Sequence, residues 1–171
     1  HIMTPLNDRY RVQDKSGAVL STSTATAFWA PLPAPSTGHT DPHVKYDQYA
    51  NRWILVAQTT PLTDNYLMVA VSQSNDPTGA WNRYYIKIDI GGPIDTAMDY
   101  PLIGYNQNWL VISMNMFNTA GNTNLGTRLY VFDKANLVSG GVINFATNAQ
   151  RIESPNTEGF SLCPASVFET G

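Results

Sequence analysis

One seven-residue phrase occurs twice in this chain, and it limits the possible folds more than any other feature. PHVKYDQ begins at Pro42 and PLIGYNQ at Pro101, so the pattern P-x-[VI]-x-Y-[DN]-Q recurs after 59 residues. Both copies have an aspartate just upstream, Asp41 and Asp99, and both run into W-[IL]-[LV]-[VI], at Trp53 and Trp109. PASVFE, from Pro164, is a weaker third echo. A chain that repeats itself at this interval is built from copies of one supersecondary unit, and each copy must bury its apolar face against the next.

The unit is made of strands. Short runs rich in Val, Ile, Tyr, Trp and Thr are punctuated by 11 Pro and 12 Gly, the pattern of strands joined by turns. In the first period the strands read PHVKYDQ, RWILVAQT, YLMVAVSQ and NRYYIKID (82–89). In the second they read PLIGYNQ, WLVISMNMF, RLYVFDK and VINFATN (142–148). GAVLSTST (17–24) precedes them, ASVFE (165–169) follows, and only FDKANLVSG (132–140) has room for a helical turn. Four-stranded antiparallel units in tandem predict an all-β fold of β-propeller type. About three periods fit in 171 residues, whereas a closed ring needs about four blades or more. The expectation is an incomplete ring of two to three blades, cut from a longer protein or completed by further copies. Open strand edges then favour self-association. The units divide as 4–38 (end of a preceding blade and a Pro-rich loop), 39–94, 95–150 and 151–171, with His1 to Met3 set aside as a cloning remnant.

Between the third and fourth strands of the first unit lies SQSNDPTGAW, Ser72 to Trp81. It resembles the Asp-box turn of sialidase-like propellers, with one extra residue between Asp and Gly. Ser74, Asp76, Gly79 and Trp81 are assigned a structural part. Asp76 accepts turn N–H groups, Gly79 supplies a positive φ, and Trp81 tucks its ring between sheets. Longer phrases, RYRVQDKSGAVL, TDPHVKYDQYANRWILVAQ, VAVSQSNDPTGAWNRYYIKI, DYPLIGYNQNWLVISMNMF and LYVFDKANLVSGG, resemble a family of large, uncharacterised, secreted bacterial propeller-like proteins. The resemblance covers most of residues 9–141. It implies the fold and an extracytoplasmic setting, and it brings no catalytic residues with it.

Composition narrows the function classes. Charged residues are 13%, about half the usual share. The net charge is −3 with no basic stripe, which argues against nucleic acid. No apolar run approaches the ~20 residues of a membrane-spanning helix. The single cysteine, Cys163, excludes an internal disulfide and a Cys-based zinc site, and is expected as a small buried side chain. P-loop, G-x-S-x-G, H-E-x-x-H and EF-hand signatures are absent, and no cofactor is expected.

Asp41 and Asp99 are the candidate polar site, at the start of innermost strands where a propeller faces its channel. They could bind sugar hydroxyls; alternatively each caps the turn entering its strand, which recurrence at equivalent places favours. With Glu158, in NTEGF, they could form the three-carboxylate set of a glycoside hydrolase. Five-bladed glycosidases resemble this chain in a T-D-P-like entry (HTDPHV) and a later E-G motif. Trp53 and Trp109 are expected in the inter-blade core, whereas Trp29, in FWAPLPAPSTGHT, is the expected exposed aromatic of a binding face. Tyr46 and Tyr105 are further aromatic candidates. His39 and His43 flank Pro42 and are too far apart on a strand for one metal ion. The leading expectation is a non-enzymatic, secreted scaffold or binding module for carbohydrate or protein; the alternative is a hydrolase fragment.

Overall fold

A computed structural model describes residues 1–33, 38–60, 65–88, 96–118 and 123–168. Among these, eleven strands form three antiparallel sheets, in each of which sequential strands are neighbours. The first sheet is β1 (Ile2–Pro5), β2 (Arg9–Gln13) and β3 (Val19–Thr24). The second is β4 (His39–Asp47), β5 (Arg52–Thr59), β6 (Tyr66–Ser72) and β7 (Trp81–Lys87). The third is β8 (Thr96–Tyr105), β9 (Trp109–Asn118), β10 (Thr123–Asp133) and β11 (Ala149–Ser154). Short helices α1 (Ala25–Trp29) and α2 (Lys134–Val138) follow β3 and β10. The Asp133 carboxylate caps α2 by accepting from the N–H groups of Ala135 and Asn136.

The middle sheet is buried on both faces, which explains its nearly unbroken apolar runs. Ile54, Val56, Leu67, Val69 and Val71 point to one side and pack on Met98, Ile103, Leu110, Ile112 and Met114 of the third sheet. Leu55, Ala57, Met68 and Ala70 point to the other, onto Met3, Tyr10 and Val12 of the first sheet and Phe28 and Trp29 of α1. The alternation of 54/56 with 55/57 is the period-two rule of a strand, here with an apolar neighbour on each side. Arg128, on β10, adds a polar tie: its buried guanidinium donates to the Ile88 carbonyl (2.6 Å) and pairs with Glu153 (2.7 Å).

Four local expectations are corrected. His1–Met3 cannot be set aside, because Ile2 and Met3 pair with Gln13 and Val12, and Met3 is buried. Residues 142–148 form a turn and no strand; the fourth strand is β11, which runs to Ser154, past the expected boundary at 150. Asn144 and Asn148 explain this. The Asn148 side chain accepts from the Asn144 N–H (2.7 Å) and donates to the Val142 carbonyl (2.9 Å), closing a local loop in place of a ladder. Val142 is left 82% exposed. Residues 165–168 are likewise no strand; they lie along the third sheet with one backbone bond, from the Val167 N–H to the Tyr105 carbonyl (2.8 Å). Cys163, two residues before that segment, is exposed. The expected boundary at 94/95 lies outside the described residues.

Candidate functional site

The repeated Pro is the key to the site. Pro has no N–H to give a ladder, so a strand that contains one must bulge or lie at an edge. In β4 the register slips between Thr40, opposite Gln58, and His43, opposite Val56. In β8 it slips in the same way between Asp99, opposite Asn115, and Leu102, opposite Ser113. The residue before each Pro takes a left-handed conformation, Asp41 with φ 49° and Tyr100 with φ 56°. Asp41 is therefore the counterpart of Tyr100, and Asp99 the counterpart of Thr40. The two aspartates do not occupy equivalent places, so recurrence is no argument that both are turn caps.

The one-residue offset brings the two carboxylates together. β4 and β8 are adjacent edge strands of neighbouring sheets, and the Gln58 amide on β5 donates from Nε2 to Asp41 Oδ2 (3.2 Å) and Asp99 Oδ1 (3.4 Å). The two carboxyl groups are close enough to share a hydrogen bond. Thr40 Oγ1 donates to Asp41 Oδ1 (3.2 Å), and Asn7 of the β1–β2 turn accepts from the Asp41 N–H (3.0 Å), so all three sheets contribute. Removal from water pushes the Asp41 carboxyl above the usual carboxylate range; the Thr40 hydrogen bond opposes this, and the Asp99 charge adds to it. Gln58 is 3% exposed, and its Oε1 has no hydrogen-bond partner. Tyr100 is 44% exposed beside the pair, its ring edge-to-face with His43 at 5.0 Å.

Glu158 does not join this group. It sits in a 3-10 turn and accepts from Ser154 Oγ at 2.6 Å. Asp99, Asn115, Thr127 and Ser154 are successive partners across the third sheet, which puts Glu158 about three strand spacings, roughly 14 Å, from Asp99. Asp41 and Asp99, in turn, are both engaged by the Gln58 amide.

The aromatic expectations divide. Trp29 is no binding-face residue: it lies on α1 at 0% exposure and donates from Nε1 to Tyr10 Oη (2.7 Å). Thr24 caps that helix through Oγ1, turning the chain inward where the Pro-rich composition suggested an open loop. Trp53 is half-buried against the core between the first two sheets, but Trp109 is 47% exposed. The reason is register: Tyr46 pairs with Trp53, whereas Tyr105 pairs with Leu110. The second hairpin is two residues shorter, so Leu110 takes the place of Trp53 and Trp109 faces the other side. His39 stacks on Trp29 with both ring nitrogens unpartnered, while His43 faces Tyr100.

The turn after β6 behaves as a staple. Asp76 Oδ1 accepts from the Thr78 N–H (2.9 Å) and Oγ1 (2.8 Å), and Ser74 Oγ accepts from the Asp76 N–H (3.2 Å). The two Thr78 donors hold the Asp76 carboxyl below the usual range. Trp81 donates to the Pro77 carbonyl (3.1 Å) and packs edge-on against Phe28 at 5.3 Å. Trp53 donates to the Asn75 carbonyl (3.0 Å). Gly79 is the exception, for its φ is not positive. The turn lies at the Trp53 end of β5, about 17 Å along the strand from Gln58.

Sequence reasoning found Asp41 and Asp99 but missed Gln58, Tyr100 and Asn7. Aligning the two Pro residues was the available signal, since it sets Tyr100 opposite Asp41. Compared with known proteins, the chain matches no protein-family model, no curated protein and no solved structure.

Proposed function

We propose that the three sheets are successive blades of a propeller-type scaffold, and that the chain is a non-enzymatic recognition module for a polyhydroxylated ligand, a glycan. The observation that carries the reading is the face where β4 and β8 begin. There a half-exposed carboxylate pair, steered by a buried amide, adjoins an exposed tyrosine ring. Carboxylates accept from sugar hydroxyls, and an aromatic ring covers the apolar face of a sugar. Face-to-face packing of a middle sheet on both neighbours supports the blade arrangement. Placement outside the cytoplasm rests on the family resemblance and the low charge. Both carboxylates are engaged by the Gln58 amide and Glu158 lies roughly 14 Å away, so the three-carboxylate set is not assembled and binding is favoured over hydrolysis.

The test is a glycan array followed by calorimetry on the best binder. Tyr100→Ala should weaken binding about tenfold, ~1.4 kcal/mol, the scale of one aromatic contact. Trp29→Phe, in the core, should leave affinity unchanged. A glycan bound equally well by Tyr100→Ala, or no glycan bound at all, would defeat the proposal.

A further inference from the structure

We propose that Asp41, Asp99 and Gln58 form a binding site for a hard divalent cation of the calcium type, which ties β4 of the middle sheet to β8 of the third. This does not rest on the glycan reading, because the ligand is the metal ion alone.

The first argument is charge. Two carboxylates are held in contact, half withdrawn from water, and neither has a Lys or Arg partner among the described residues. Like charges at this distance repel unless a proton or a cation lies between them. The second is the amide. Gln58 is almost wholly buried, its side chain ends at the pair, and its Oε1 is unsatisfied. A buried amide oxygen with no donor calls for an explanation, an unplaced ion among them. The nitrogen and oxygen of an amide are interchangeable in shape. Turned by 180°, the same group offers a third oxygen to a cation lying between the carboxylates.

The third argument is ligand type. Asp41, Asp99 and Thr40 present oxygens here, and Gln58 adds another once its amide is turned, the set a calcium-type ion takes, with water completing six to eight ligands. Among the described residues no three His, Cys, Asp or Glu side chains converge, which disfavours zinc and its relatives. A site with two formal charges, open to solvent on one side, predicts weak binding, with a Kd on the order of 10⁻⁴–10⁻³ M. β4 and β8 belong to different sheets, so an ion there opposes their separation and binds the folded state selectively.

The experiment is calorimetric titration of chelator-treated protein with CaCl2, beside thermal melts in CaCl2 and in NaCl of equal ionic strength. At 10 mM calcium the Tm should rise by roughly 3–10 °C over the NaCl control. Asp99→Asn, nearly isosteric and relieved of repulsion, should fold and lose that shift. Gln58→Glu, with a third carboxylate, should tighten calcium binding about tenfold, a gain that no merely structural role for Gln58 produces. A shift reproduced by NaCl, a shift retained in Asp99→Asn, or no tightening in Gln58→Glu would each overturn the proposal.

Discussion

Lys134→Met is the sharpest test of how the second and third sheets are joined. The Lys134 ammonium lies 2.8 Å from Asp47 Oδ2, with its side chain 4% exposed and that of Asp47 fully buried. The contact is ionic more than a well-aligned hydrogen bond, since Oδ2 lacks a partner of good geometry. The ammonium also donates to the Asn106 carbonyl and lies 5.1 Å and 5.4 Å from the ring centres of Tyr49 and Tyr105. Asp47 and Asn106 are the variable position of the repeated Y-[DN]-Q, so one lysine clamps the same turn of two neighbouring sheets. Methionine keeps the apolar stem and removes the charge. Among the described residues, Asp47 would then keep the Tyr49 N–H, at 3.0 Å, as its hydrogen-bond donor.

Stranding a buried charge in this way costs about 3–5 kcal/mol. That is a fifth or more of an ordinary domain's stability of about 5–15 kcal/mol. At about 2–4 °C per kcal/mol the Tm should fall by roughly 6–20 °C. Urea unfolding followed by tryptophan fluorescence measures the cost, and urea does not screen the pair as guanidinium would. The double variant Asp47→Asn/Lys134→Met should recover most of the loss, to within about 2 kcal/mol of the parent, because no charge is left stranded. Asparagine fits this turn: Asn106 Oδ1 accepts from the Asn108 and Trp109 N–H groups at 2.9 and 2.8 Å in the equivalent place. A cost below about 1 kcal/mol for Lys134→Met, or a double variant as unstable as the single, would refute the reasoning.

Two further outcomes follow from local geometry. Gly79→Ala should be neutral or stabilising by up to ~1 kcal/mol, because its Cβ would stand 3.4 Å from Asp76 O at an ordinary φ. Gly126→Ala, at φ 109° with its Cβ 2.2 Å from Ser154 O, should cost at least about 2 kcal/mol, and urea midpoints of the pair compare them directly. Burial holds the His39 imidazole below its ordinary 6.5, so the unfolded chain binds the proton first as pH falls. His39 stability is thus present above pH 6.5 and lost as pH falls through the lowered value. His39→Phe, which keeps the stack on Trp29, should flatten that loss in stability measured from pH 7 to 5. His43 adds a slope of the same sign and Asp41 one of the opposite sign, so the difference between variant and parent isolates His39.

How much was legible follows from what each feature depends on. The pairing of PHVKYDQ with PLIGYNQ, the strands β4–β6 and β8–β10 and the staple around Asp76 were readable. Each rests on neighbours a few residues apart, through strand periodicity, proline's missing N–H and side-chain capping of a turn. The strand expected at 142–148 failed on equally local chemistry, because two asparagine side chains outcompeted an apolar run for the backbone. The placement of Trp29 failed for a different reason: its partner Tyr10 is 19 residues away, and no window of composition contains that hydrogen bond.

By itself, then, the sequence determined a repeated, all-β chain whose equivalent strands each carry a proline. Only the tertiary structure decided which side of each strand faces what. A strand inverts its faces at every residue, so Trp109, one position before the partner of Tyr105, points outward where Trp53, the partner of Tyr46, points in. An aspartate offset by one position from its apparent counterpart came to lie against it across a sheet junction. Gln58 acquired its significance there too, because the carboxylates it bridges are 17 and 41 residues away in the chain. Side-chain meetings of this kind depend on how sheets stack, and stacking depends on the whole core.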